Sequence, residues 1–161
     1  MFGKDSRIAV VGAGAIGRVV AVLVSEAGYD VEIVCKYEDL ADRVRTDGLH
    51  VFGAKDDHRA EMPAVADISG LKEKKNIVFL AIKVTDMLDA AARLLPFLED
   101  TSVVVSLQNG ICEDALGEVF GRERTIGCVV GWGGTMHTPG ELEMTSTGKF
   151  VIGNIDNRPD P

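Results

Sequence analysis

What this chain can become is narrowed first by Val11-Gly12-Ala13-Gly14-Ala15-Ile16-Gly17. The spacing G-x-G-x-x-G means little in isolation. Here it follows a short apolar, β-prone run, Arg7 to Val11, and it opens a run, Ala15 to Ala27, with little polar surface. A strand, a tight turn and a helix in that order is the context in which this spacing binds the pyrophosphate of a dinucleotide. Gly12 permits the turn out of the strand, Gly14 lets the diphosphate approach bare backbone, and Gly17 lets the helix pack close to the strand. The unpaired amides at the helix start, and its dipole, attract the phosphates. Gly12, Ala13, Gly14, Ala15, Ile16 and Gly17 are therefore the first candidate cofactor-binding residues.

The rest of the chain repeats the alternation of strand and helix. Val31 to Cys35 reads as a second strand and Tyr37 to Arg45 as a helix. Two short strands, His50 to Phe52 and Arg59 to Met62, are expected to meet across Lys55-Asp56-Asp57. Asn76 to Ala81 is a buried strand, and Thr85 to Leu95 a helix with Thr85 as its N-cap. Ser102 to Leu107 is a strand, Glu113 to Phe120 a helix closed by Gly121, and Thr125 to Val130, Glu141 to Thr145 and Phe150 to Ile152 are late strands. This order predicts an α/β fold: a Rossmann-type, doubly wound, mostly parallel sheet with helices on both faces and antiparallel additions at its C-terminal edge.

In such sheets ligands bind at the carboxyl ends of the strands. The second strand ends in Val34-Cys35-Lys36. NAD-specific domains usually carry a carboxylate at that tip to bond the adenosine ribose. A cation stands there instead, so Lys36 favours NADP through its 2′-phosphate. Glu32 falls mid-strand, and Glu38, just past the tip, can still recruit a ribose. Two later strand ends also carry polar groups, Ile82-Lys83 and Gln108-Asn109-Gly110. Lys83 would present a cation across the cleft. Asn109 offers both a donor and an acceptor to cofactor or substrate. Gly131-Trp132-Gly133-Gly134-Thr135 is either a third cofactor loop or a plain turn. His137 reads as an incidental residue of an exposed loop, and His50 and His58 carry no catalytic expectation either.

Charge and cysteine usage exclude other classes. The net charge of −8 over 161 residues repels nucleic-acid backbones, so no nucleic-acid partner is expected. Three cysteines, an odd number with no CxxC pair, support neither a disulfide framework nor a metal site, and they fit a cytoplasmic location. Ile8 to Gly28 is apolar, yet its glycines, Arg18 and Glu26 interrupt it, so no membrane association is expected.

Taken together, these features resemble the ketopantoate reductase (2-dehydropantoate 2-reductase) family. The likeness covers essentially the whole chain. It is carried by Gly12 to Gly17, Ala81-Ile82-Lys83, Ser106-Leu107-Gln108-Asn109-Gly110 and the strands from Pro139-Gly140 to Gly153. The resemblance implies NADPH as cofactor and a small 2-oxo acid as substrate, with 2-dehydropantoate reduced to pantoate in pantothenate biosynthesis. By the same likeness Lys36 meets the 2′-phosphate, Lys83 is a cleft lysine near the cofactor, and Asn109 lies near nicotinamide and substrate. The family carries a second, helical domain that supplies the general-acid lysine, a glutamate and most substrate contacts. Residues 1–153 are thus expected to form the NADP-binding domain and 154–161 a linker toward that second domain, so no catalytic acid can be named here. These 161 residues alone are expected to be inert toward 2-oxo acids. Two rival readings stay open: another NAD(P)-dependent oxidoreductase of a 2-oxo acid or amino-acid derivative, and a non-catalytic NAD(P)-sensing module. The oligomeric state is open too, a homodimer included.

Overall fold

The structure, a computed structural model, describes residues 2–54, 56–138 and 140–156. Eleven strands and four α-helices occur among them: β1 (Arg7–Val11), α1 (Ala15–Glu26), β2 (Asp30–Val34), α2 (Glu38–Asp47), β3 (Leu49–Gly53), β4 (His58–Ala60), β5 (Ala64–Val65), β6 (Lys75–Leu80), α3 (Val84–Leu94), β7 (Leu98–Ser106), α4 (Glu113–Phe120), β8 (Thr125–Val130), β9 (Gly133–Thr138), β10 (Glu141–Ser146) and β11 (Phe150–Asn154). Seven strands form the main sheet in the order β11-β8-β7-β6-β1-β2-β5. All its pairings are parallel except β11 on β8. The order reverses between β1 and β6, and such a reversal is where a doubly wound sheet opens a crevice for a ligand.

Apolar alternation explains the layers. One face of the sheet carries Ala9, Val11, Val34, Val78 and Leu80, packed with Met87 and Leu94 of α3 and Leu116 of α4. The opposite face carries Ile8, Val10, Val31 and Ile33, packed with Val19 and Val22 of α1 and Val44 of α2. Helix α1 is rich in valine, a middling helix former. It persists because residues Gly17 to Val22 are buried, so tertiary packing supplies what propensity does not.

The late strands depart from expectation. Only β11 extends the main sheet as an antiparallel addition. β9 and β10 join β3 and β4 in a separate four-stranded sheet, where β10 runs parallel to β3. The physical reason is visible in the exposures: Leu49, Val51, Leu142 and Met144 are buried in the same cluster as α1, so both hairpins turn their apolar sides onto that helix. The expected hairpin is present as Leu49–Gly53 and His58–Ala60, its second strand ending before Met62; Lys55 of its connection lies outside the described residues. The two-residue β5 was too short to be read as a strand. Helix α3 starts one residue early, with Lys83 at the N-cap position, and the Thr85 hydroxyl bonds Asp86 instead of capping. β11 ends at Asn154; of the expected linker, 157–161 lie outside the described residues. Among the described residues no helix is long and apolar enough to cross a membrane.

Candidate functional site

Four strand ends meet at the carboxyl edge of the sheet. Gly12 N donates to Val34 O (3.0 Å), Ala81 N to Val11 O (2.8 Å) and Leu107 N to Leu80 O (2.9 Å). These bonds continue the ladders one residue beyond the strands and hold neighbouring tips level. With β-strands roughly 5 Å apart, they align Lys36, the glycine loop, Lys83 and Asn109 as successive stations along one edge. Lys36 is exposed, its ammonium 5.7 Å from the ring centroid of Tyr37. Lys83 and Asn109 are exposed as well. Behind Lys36, burial pushes the Cys35 thiol up to about 11, so it stays neutral.

The loop needs its glycines for distinct reasons. Gly12 has φ +110°, and a Cβ there would stand 2.6 Å from the Ala81 carbonyl oxygen. A Cβ on Gly17 would stand 1.8 Å from the Gly12 carbonyl oxygen and 3.2 Å from Ala81 Cβ. Gly17 therefore permits the approach of α1 both to the loop and to the neighbouring strand end. Gly14 differs: a Cβ would meet nothing within 4 Å. Its missing side chain opens space at the helix N-terminus and relieves no internal contact. That open cradle, flanked by the first-turn amides of α1, suits a diphosphate. No acidic residue stands in that first turn to compete.

Beside Asn109 a cleft of about 430 Å³ runs over Gln108, Glu113, Gly127, Val129, Val151 and Gly153. Gln108 is buried; its Oε1 accepts from the Ser106 hydroxyl at 3.0 Å, and its Nε2 has no partner among the described residues. Glu113 Oε2 accepts from the Cys112 amide at 3.0 Å. Neither residue was singled out from sequence, although Gln108 sits within the Gln-Asn-Gly run. Arg18, which in the sequence only interrupts an apolar run, is the one charge in an otherwise apolar helix start, and it is only 4% exposed.

Other expectations are corrected. Gly133 and Gly134 begin strand β9, so the segment read as an open loop is in part a strand; Gly131 N is bonded to Lys149 O (3.0 Å) and Gly133 N to the Ser146 hydroxyl (2.9 Å). His137 lies on β9, not in a loop, with Nε2 2.7 Å from Glu143 Oε2; Pro139 lies outside the described residues. Glu32 does lie mid-strand, as its position in the sequence implied, and is buried against Lys75.

The family model described as ketopantoate reductase PanE/ApbA matches residues 8–157. The chain belongs to that family. A 2-dehydropantoate 2-reductase of Archaeoglobus fulgidus is 30% identical over 155 residues, covering 96% of this chain and 49% of the relative. The crystal structure of a 2-dehydropantoate 2-reductase from Geobacter metallireducens GS-15 is 29% identical, covers 96% of this chain and 51% of that one, and has a TM-score of 0.82. A ternary structure of D-mandelate dehydrogenase with NADH and anilino(oxo)acetate shares the fold at 21% identity and a TM-score of 0.83, with 94% and 49% coverage. The chain spans about half the length of the curated relatives it matches (49% and 47%).

Proposed function

We propose that this chain is the nucleotide-binding part of an NADPH-dependent reductase that converts 2-dehydropantoate to pantoate. The observation that carries the reading is the alignment of Lys36, the bare Gly14 backbone, Lys83 and Asn109 on consecutive strand ends of one sheet edge, in a member of the ketopantoate reductase family. The cofactor, when bound, supplies the hydride that reduces the ketone carbon.

The chain's own residues bind and orient. First-turn amides of α1 hold the diphosphate, and Lys36 meets the 2′-phosphate. Lys83 contributes a cation beside the cofactor, and Asn109 bonds nicotinamide ribose and substrate. The proton for the developing alkoxide comes from a lysine of a second, helical domain, so residues 1–153 act as the nucleotide domain, with 154–161 leading toward that partner domain. In this reading the enzyme works in the cytoplasm.

The test is turnover by the complete enzyme. NADPH oxidation with 2-dehydropantoate should exceed that with a panel of other 2-oxo acids in kcat/KM, and residues 1–161 alone should turn over none of them. Preference for another 2-oxo acid would replace the substrate, and tight NADPH binding without any turnover would leave a sensing module.

A further inference from the structure

Arg18 is buried in the first turns of α1, 4% exposed. No carboxylate lies within ion-pair distance of it among the described residues. A buried guanidinium without a counter-charge is costly, and it survives where its donors are spent on something. Here Nε donates to the Ala13 carbonyl at 2.8 Å, and one terminal nitrogen makes a long contact of 3.5 Å to Thr138 O.

The Ala13 carbonyl belongs to the peptide that joins Ala13 to Gly14. That peptide is trans, so its C=O and the Gly14 N–H point to opposite sides of the chain. Holding the carbonyl inward against Arg18 therefore turns the Gly14 N–H outward. That amide has no backbone acceptor among the described residues, and it sits at the one loop glycine whose Cβ position is open.

We propose that Arg18 is a positioning residue of the phosphate-binding loop: its Nε–H···O=C bond to Ala13 aims the Gly14 amide at the cofactor diphosphate. This rests on the cofactor reading above. In this proposal Arg18 acts through Ala13; its side chain also lines a cleft with Tyr37, Asp39 and Arg43.

Two substitutions separate the bond from the charge. In Arg18→Gln the carboxamide nitrogen falls where Nε stands, so the bond to Ala13 O is kept while the charge is lost. In Arg18→Met both are lost. Binding of NADPH and of adenosine 2′-monophosphate, which carries no diphosphate, is measured by calorimetry on each protein. Arg18→Met should lose about tenfold or more in NADPH affinity, as for a hydrogen bond to a charged group, with the monophosphate unchanged. Arg18→Gln should stay near the parent.

NADPH affinity unchanged in Arg18→Met overturns the proposal, as do equal losses in both variants or equal losses of both ligands. In the parent, the Gly14 amide proton should move downfield when NADPH is added. An amide that does not respond overturns the proposal even where Arg18→Met fails to fold. A parent that binds neither NADPH nor NADH overturns the cofactor reading as well, and that failure is visible before any variant is made.

Discussion

Lys75 Nζ lies 2.8 Å from Glu32 Oε2, and the two side chains are only 6% and 5% exposed. β1 runs between their strands and carries Ala9 opposite Glu32, so the bridge spans the strand that separates its two partners. Glu32 Oε1 has no partner among the described residues, so the pair is imperfectly satisfied.

Breaking this pair from one side strands a charge in the core. Glu32→Gln or Lys75→Met should therefore each cost about 3–5 kcal/mol of unfolding free energy. Replacing both with Leu and Met should recover most of the loss, because two apolar side chains need no counter-charge. Urea unfolding of the three variants checks this, and additive losses in the double variant would count against the bridge.

The glycine loop separates folding from binding. Gly17→Ala drives a methyl into the Gly12 carbonyl, a backbone atom that cannot swing aside, so about 1–3 kcal/mol of stability should be lost. Gly14→Ala meets open space in an allowed conformation (φ −74°, ψ −172°) and should cost less than about 1 kcal/mol as a weaker N-cap. Yet that methyl fills the space assigned to the diphosphate, so cofactor affinity should fall sharply. Thermal melts beside calorimetry distinguish the two. A Gly14→Ala protein that binds as the parent does would remove the diphosphate from this position.

How much of this was legible beforehand follows from the range of the interactions. Helix α4 and strand β8 match their expected limits, because each is a local pattern closed by a local signal such as Gly121. The glycine loop was legible for the same reason. β9 was not: its Gly-Gly-Thr-Met-His-Thr sequence has neither alternation nor β-branched density, and it becomes a strand only because β10 pairs with it. Glu32 and Lys75 stand 43 residues apart, so nothing in the strand pattern marked Glu32 as half of a bridge. Arg18 reads in the sequence only as a charge interrupting an apolar run, because its bond to the Ala13 carbonyl depends on the folded turn of the loop.

Asp67 provides a pH-dependent contribution. Its carboxyl is held down at about 2, first by the Arg93 guanidinium and then by the Ser69 amide it caps. A folded-state value below the ordinary 3.8 means its stabilisation is complete above about pH 4 and fades as pH falls toward 2. Both partners are roughly half exposed, so solvent screening keeps the effect small. Between pH 4 and 2 the melting temperature of the parent should fall more steeply than that of Asp67→Asn. Parallel slopes across that window would deny the pair any part in acid unfolding.

Lys36 bears the cofactor preference. Its ammonium stands at the tip of β2, exposed beside Tyr37, and no carboxylate is bonded to it among the described residues. A charge-assisted contact to a 2′-phosphate is worth about 1.5–3 kcal/mol, a factor of about 10 to 150 in affinity. Lys36→Ala should therefore weaken NADPH by that factor and leave NADH untouched, since NADH has a hydroxyl where the phosphate would be. Lys36→Asp should go further and invert the preference, because its carboxylate repels the 2′-phosphate and accepts from a ribose hydroxyl. Calorimetric titration of both nucleotides against the three proteins decides it: equal affinity of the parent for NADPH and NADH would leave Lys36 a solvated surface lysine.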